Sequence, residues 1–136
     1  MNRVIDTAKL SRLLESVRDA RIQTHAGFVP APGEPEGFDV RGEPLAKRGS
    51  YKENVADNNY SRSRSVGRFL LFMMTEKLRR SLFEIGRSVA LDPAEGRETQ
   101  INEGTFDTLF GDVGFELLRT PAAVEGFREG IESARV

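Results

Sequence analysis

The stretch that decides the fold runs from Val66 to Leu91 and reads VGRFLLFMMTEKLRRSLFEIGRSVAL. Large apolar residues recur in it at three- and four-residue spacing, which is the period of one face of an α-helix. The members of this stripe are Leu71, Met74, Leu78, Leu82, Ile85 and Val89. The sequence therefore predicts one long helix over residues 66–91, with Ser65 as its N-cap, and we expect it to be the spine of the protein.

The opposite face of the same helix is also apolar in its first turns. Phe69, Phe72 and Met73 lie on that face, and Phe83 follows further along the same side. A helix that is hydrophobic all round has to be covered all round. Either the other helices of the chain or a second subunit would provide the cover, and left exposed the three side chains would form an association site. Gly86 is costly inside a helix, and close packing would explain it.

An amphipathic helix is predicted before the spine, in segment 1–26, from about Asp6 to His25. Its buried stripe is expected to contain Leu10, Leu13, Leu14, Val17 and Ala20. Asp6 or Thr7 is a suitable N-cap, and Gly27 is a suitable C-terminal stop.

Two further helices are predicted after the spine, in segment 105–136. The first opens at Thr105, and Gly111 and Gly114 predict either a break into two short helices or a strand around Gly114 to Leu118. Thr120-Pro121 has the pattern of an N-cap followed by proline at the first helical position, and it predicts the start of the last helix. The expected core comprises Leu13, Val17, Leu71, Leu78, Leu82, Ile85, Phe106, Phe110, Leu117, Phe127 and Ile131.

Between the first two helices, residues 27–65 show little periodicity of either kind, and loops of that length are usually functional arms or linkers. Prolines in the first part favour extended backbone, because proline fixes φ and disfavours helix in the preceding residue. Isolated apolar residues are spaced along this arm: Phe28, Val29, Phe38, Val40 and Leu45. They are expected either to fill pockets on a neighbouring subunit or to fold back over the chain's own helices.

The second part of the arm and the start of the spine are basic, with interleaved tyrosines and a predicted turn at 57–59. Phosphate contacts and base stacking would both be available there. The candidate residues are Lys47, Arg48, Tyr51, Lys52, Tyr60, Arg62, Arg64 and Arg68. Nucleic-acid binding is therefore an alternative function, although the pI near 5.9 is low for that class of protein. A solvated basic linker is a second interpretation, and pairing of the same arginines with acidic residues in the C-terminal half of a neighbouring copy is a third.

Charge is unevenly distributed along the 136 residues. Residues 41–91 hold eleven Lys or Arg against five Asp or Glu, and residues 92–136 hold four against ten, so that +6 and −6 cancel. Such polarity steers a basic partner to one face and an acidic partner to another, lets copies associate head to tail, or reflects two solvated surfaces. Segment 92–104 is predicted to be an acidic loop.

Several function classes are disfavoured by composition. The chain has no cysteine and one histidine, His25, which argues against disulfides and ordinary zinc sites. No glycine run has phosphate-loop spacing. The longest apolar run, Phe69 to Met74, is far shorter than the roughly 20 residues that span a bilayer. With no apolar signal segment near the start, we expect an intracellular location or a place in an assembled particle.

One short pattern has a counterpart in a known family. Arg18, Asp19 and then His25 resemble the Arg-x(4–6)-His signature of the all-helical HEPN ribonucleases, in which such a pair cleaves RNA in a dimer. The resemblance covers eight residues, and in that family the motif normally lies late in the domain. It implies a helical ribonuclease using Arg18 and His25.

The sequence as a whole predicts one small all-α domain of about four amphipathic helices, with the extended arm between helices 1 and 2. We expect a non-catalytic subunit of a larger assembly, without cofactors, that binds protein subunits, of its own kind or another, through the arm and the face of Phe69, Phe72 and Met73. Small subunits of particles such as virions use arms of this kind, a likeness of architecture alone.

Overall fold

The computed structural model describes residues 5–24, 32–36, 45, 58–92 and 99–135, with the side chains of 58–66 outside that description. These residues form five α-helices and one 3-10 turn, with no strand among them, so the predicted all-α class is confirmed. The elements are α1 (Thr7–Thr24), α2 (Asn58–Leu91), α3 (Glu103–Phe110), the 3-10 turn (Gly111–Val113), α4 (Gly114–Leu118) and α5 (Pro121–Ala134). Two compact units divide the chain, one of residues 1–14 with 75–136 and one of residues 15–74.

Helix α1 follows its predicted pattern. The Asp6 carboxylate accepts a hydrogen bond of 2.9 Å from the backbone N–H of Lys9, so Asp6 is the N-cap. In the first unit Leu10 and Leu14 are buried, and in the second unit Val17 and Ala20 are buried. Leu13 is only half-buried, and it lines an open cavity between α1 and α2.

Helix α2 begins eight residues earlier than the sequence predicts. It starts at Asn58, so residues 58–65 belong to the helix and not to the arm, the turn predicted at 57–59 gives way to helix from Asn58 on, and Ser65 is not an N-cap. No Gly or Pro occurs in 58–65, and each further residue adds one backbone hydrogen bond once a helix exists. The weak propensities of Asn and Ser cost only tenths of a kcal/mol each, roughly, and do not stop it.

Three phenylalanine rings form the centre of the first unit. Phe106, Phe110 and Phe127 are at most 1% exposed, and their ring centroids are 5.2, 5.3 and 5.9 Å apart in tilted and edge-to-face arrangements. Such geometry is favourable for aromatic pairs beyond the burial of their area. Leu78, Leu82 and Leu117 are also fully buried. Eight of the eleven predicted core side chains are buried, and Leu13, Leu71 and Ile85 are half-buried.

The C-terminal segment breaks into short helices, one of the two predicted alternatives, and the predicted strand is absent from residues 114–118. Helix α3 starts at Glu103 and not at Thr105, because Asn102 caps it through a 2.9 Å hydrogen bond from the backbone N–H of Thr105. Gly111 ends α3 with a φ of 59°, in the half of the map that favours glycine.

Helix α5 begins at Pro121 with Thr120 as the N-cap residue, as predicted, although the Thr120 side chain makes no cap hydrogen bond. The hydroxyl donates instead to the backbone carbonyl of Glu116, at 2.7 Å, and so fixes the end of α4.

Glycines bring α5 and α2 into backbone contact within the first unit. A Cβ at Gly126 would overlap the carbonyl oxygen of Arg79, and one at Gly130 would overlap that of Phe83. On the α2 side, a Cβ at Gly86 would overlap the carbonyl oxygen of Phe127. The close packing suggested by Gly86 is therefore present, and it is built on a Gly-x-x-x-Gly spacing in α5.

In the second unit, α2 lies against the end of α1 at another glycine. A Cβ on the buried Gly67 would overlap the backbone nitrogen of Thr24. Residues 32–36 form a turn around Gly33, whose φ is 86°.

Candidate protein-binding surfaces

An exposed apolar face lies on α2 in the second unit, where the sequence predicts an association site. Phe69 and Phe72 are each 64% exposed, and Met73 is 39% exposed. Leu70 is 38% exposed. Three positions after Gly67, it lies about 300° around the helix from it, at the edge of this surface next to Met73. Sequence reasoning left Leu70 out, although it belongs to the apolar run from Phe69 to Met74. We call Phe69, Leu70, Phe72 and Met73 the α2 apolar face.

The contact at Gly67 determines which way this face points. Phe69, Phe72 and Met73 follow Gly67 by two, five and six positions, which places them about 140 to 240° around the helix from it. Because Gly67 is the point where α2 meets α1, the three side chains point away from that contact. Leu71 and Met74, on the Gly67 side, are half-buried.

Of the predicted arm contacts, only Leu45 is described, and it is 46% exposed. Phe28, Val29, Phe38 and Val40 lie outside the described residues.

Among the predicted nucleic-acid residues, Arg68 is the one with a described side chain, and it is exposed. Lys47, Arg48, Tyr51 and Lys52 lie outside the description. The backbones of Tyr60, Arg62 and Arg64 are helical, and their side chains are not described.

A basic groove runs between α1 and α2 in the first unit. It encloses about 260 Å³ and is lined by Lys9, Leu13, Lys77, Arg80, Ser81 and Glu84. A neighbouring cavity of about 280 Å³ shares Lys9, Ser81 and Glu84 with it. We call the cavity lined by Lys77 and Arg80 the basic groove. Sequence reasoning missed it because residues about seventy positions apart supply its two walls.

An acidic pocket of about 260 Å³ lies between α3 and α4 in the same unit. Glu103, Gly104, Asp107, Gly114, Phe115 and Leu118 line it. Phe115 is 58% exposed, and the Arg119 guanidinium carbon lies 4.2 Å from its ring centroid, a cation–π contact. We call this surface the acidic pocket.

One arginine links α2 to α5. Nη1 of Arg79 lies 2.9 Å from Oε2 of Glu129, and Nε lies 3.4 Å from Oε1 of Glu76. The hydrogen bond and the charge of Glu76, with the charge of Glu129 in addition, raise the pKa of Arg79. The guanidinium is therefore charged at every pH the folded protein experiences.

The described side chains offer few groups for chemistry. No group of three or more metal-ligating residues occurs in the described part of the chain. Arg18 is half-buried and Asp19 is exposed on α1, and His25, the other half of the ribonuclease-like pattern, lies outside the description. None of the described helices has an apolar stretch long enough to cross a bilayer.

Comparison of this chain with protein-family models, with curated proteins and with solved structures found no match.

Proposed function

We propose that this chain is a non-catalytic subunit of an assembly, and that its α2 apolar face binds the same face of a second copy. The observation that supports the proposal is the exposure of two neighbouring phenylalanines, each 64% accessible, on one side of a helix. Monomeric proteins seldom expose contiguous apolar patches of several hundred square ångströms without using them.

The area of the patch is of the right order for part of an interface. A phenylalanine side chain offers about 200 Å² when fully accessible, so the two rings alone present roughly 250 Å². Leu70 and Met73 add to that area. A standard interface buries about 800 Å² on each partner. Surrounding surface therefore has to contribute, and the arm is the predicted source.

A second copy is the occupant that the chemistry of the face favours. Phe69, Leu70, Phe72 and Met73 carry no charge, so two such faces meet without repulsion between like charges. A two-fold axis brings one surface against itself, and pairs of this kind are the commonest oligomers. Phenylalanine and methionine, which carry no charge, are enriched at interface cores, where charged residues are depleted.

The test is the mass of the full-length chain by size exclusion with light scattering. In about 0.5 M salt, where contacts between exposed charges are screened, the double variant Phe69→Ser/Phe72→Ser is expected to be monomeric at concentrations where the wild type forms dimers. Leu91→Ser is the matched control, because Leu91 is 59% exposed in the other unit and lines neither the basic groove nor the acidic pocket. It should leave the contact between two α2 apolar faces intact. A monomeric wild type, or an equal loss of mass in both variants, would refute the proposal.

A further inference from the structure

The first unit carries two charged surfaces that remain without ion pairs in the described part of the chain. In the basic groove, neither Lys9, Lys77 nor Arg80 forms an ion pair with any described residue. Arg79, next in sequence to Arg80, is held by two carboxylates. The absence of partners in the groove is therefore a local property of that face of α2.

The acidic pocket shows the same property with the opposite sign. Glu103 and Asp107 are exposed on α3, and neither carboxylate is paired with a described residue. Phe115 stands beside them as a large apolar side chain in contact with solvent. The basic groove in turn has Leu13, half-buried, in its wall. The two surfaces thus match in charge, and each offers an apolar side chain.

We infer that the basic groove of one copy binds the acidic pocket of a second copy, so that Lys77 and Arg80 meet Glu103 and Asp107 while Phe115 packs at Leu13. The two surfaces are different, so the contact is head to tail and repeats from copy to copy in a ring or a filament. This contact is separate from the α2 apolar face and extends the proposed function from a pair to a growing assembly.

A protein partner suits the groove better than nucleic acid. Glu84 lies in the wall beside the cations. Its carboxylate would repel a phosphate backbone. It would not repel the acidic pocket of a second copy to the same extent, because that surface carries Arg119 next to its own carboxylates. Contacts between exposed charges are individually weak and screened by salt. The association is therefore expected to weaken with salt, unlike that of the α2 apolar face.

The test exchanges the charges in full-length chains that also carry Phe69→Ser and Phe72→Ser, so that the other association does not contribute. One chain carries K77E and R80E, and the other carries E103K and D107K. Each chain alone has two surfaces of like sign and should sediment as a monomer. An equimolar mixture restores both complementary pairs, so we expect association in about 0.05 M salt and its loss in about 0.5 M salt.

The control chain, with Phe69→Ser and Phe72→Ser alone, should self-associate at least about tenfold more tightly than either charge variant. The inference fails if the mixture stays monomeric, or if one charge variant alone associates like the control chain. It also fails if the groove variant keeps the mass of the control chain but loses binding to duplex DNA, because the groove would then serve nucleic acid. None of these results depends on whether the α2 apolar face forms dimers.

Discussion

The two halves of helix α2 have similar apolar content but differ in how much of it is buried. In the first unit, Phe83 is half-buried, and its carbonyl packs on Gly130 of α5. In the second unit, Phe69 and Phe72 are 64% exposed, and the close contact at Gly67 lies on the other side of the helix. In this chain, the second apolar face of α2 is partly buried where a helix with small residues lies against it. Where no such helix is described, the same residues stay exposed, and our proposal is that they bind another subunit.

Gly130→Ala should loosen the contact between α5 and the half of α2 that lies in the first unit. The new Cβ would overlap the carbonyl of Phe83, so the α2 and α5 backbones would have to separate. We expect a loss of about 2–3 kcal/mol in the free energy of unfolding, even though alanine favours helix. Denaturant unfolding followed by circular dichroism measures this loss.

Gly104→Ala in α3 is the matched control for Gly130→Ala. Its Cβ would approach only the side-chain oxygen of Asn102, at 3.3 Å, so the expected change lies between zero and a gain of about 1 kcal/mol. Equal changes in the two variants would mean that the contact between α2 and α5 is not tight.

Replacing one phenylalanine by serine in each half of α2 compares the burial of the two side chains. Phe83→Ser should cost about 2 kcal/mol, because a packed ring is lost. Phe72→Ser should change the free energy of unfolding of the monomer by less than about 0.5 kcal/mol, as exposed sites usually do. Both are measured at concentrations where the chain is monomeric. Similar costs at the two positions would show that Phe72 is covered within the chain.

Sequence reasoning succeeded where a periodic pattern was strong and local. The stripes of α1 and α2 were predicted from residue spacing. The cap at Asp6, one of two candidates, and the start of α5 at Thr120-Pro121 were predicted from residue types that favour helix starts. Phe69, Phe72 and Met73 of the α2 apolar face were predicted from spacing as well, whereas Leu70 was not. The contact between Gly67 and Thr24, from which these side chains point away, does not follow from the sequence.

The errors have physical causes. The start of α2 was misplaced because weak propensity does not stop a helix that is already formed, and the cap of α3 was misplaced because Asn102 precedes a Glu-Gly pair that read as loop. Gly126 and Gly130 were overlooked because glycine destabilises an isolated helix. Its small size is an advantage only where the backbone of another helix packs against it. The basic groove depends on two distant segments and could not be predicted from either.

The arm is expected to affect assembly and not stability. Because α2 starts at Asn58, the deletion should end at residue 57, with residues 28–57 replaced by eight Gly or Ser residues. From Gly67, near Thr24, back to Asn58 is about 13.5 Å of helix, and eight extended residues span more than that. We expect unchanged helix content by circular dichroism and a lower mass by light scattering. An unchanged mass would mean that the arm takes no part in the assembly.

Disulfide trapping of the pair tests the central claim most directly, because the chain has no cysteine of its own. Single variants Leu70→Cys and Met73→Cys place a thiol on the α2 apolar face and keep both phenylalanines, and Phe115→Cys is the control on the acidic pocket. Two cysteines bond only when their Cα atoms come within about 7 Å. We predict that at least one of the two α2 variants gives a covalent dimer on mild oxidation while Phe115→Cys stays monomeric. No covalent dimer from either α2 variant, or equal yields from all three, would contradict the account.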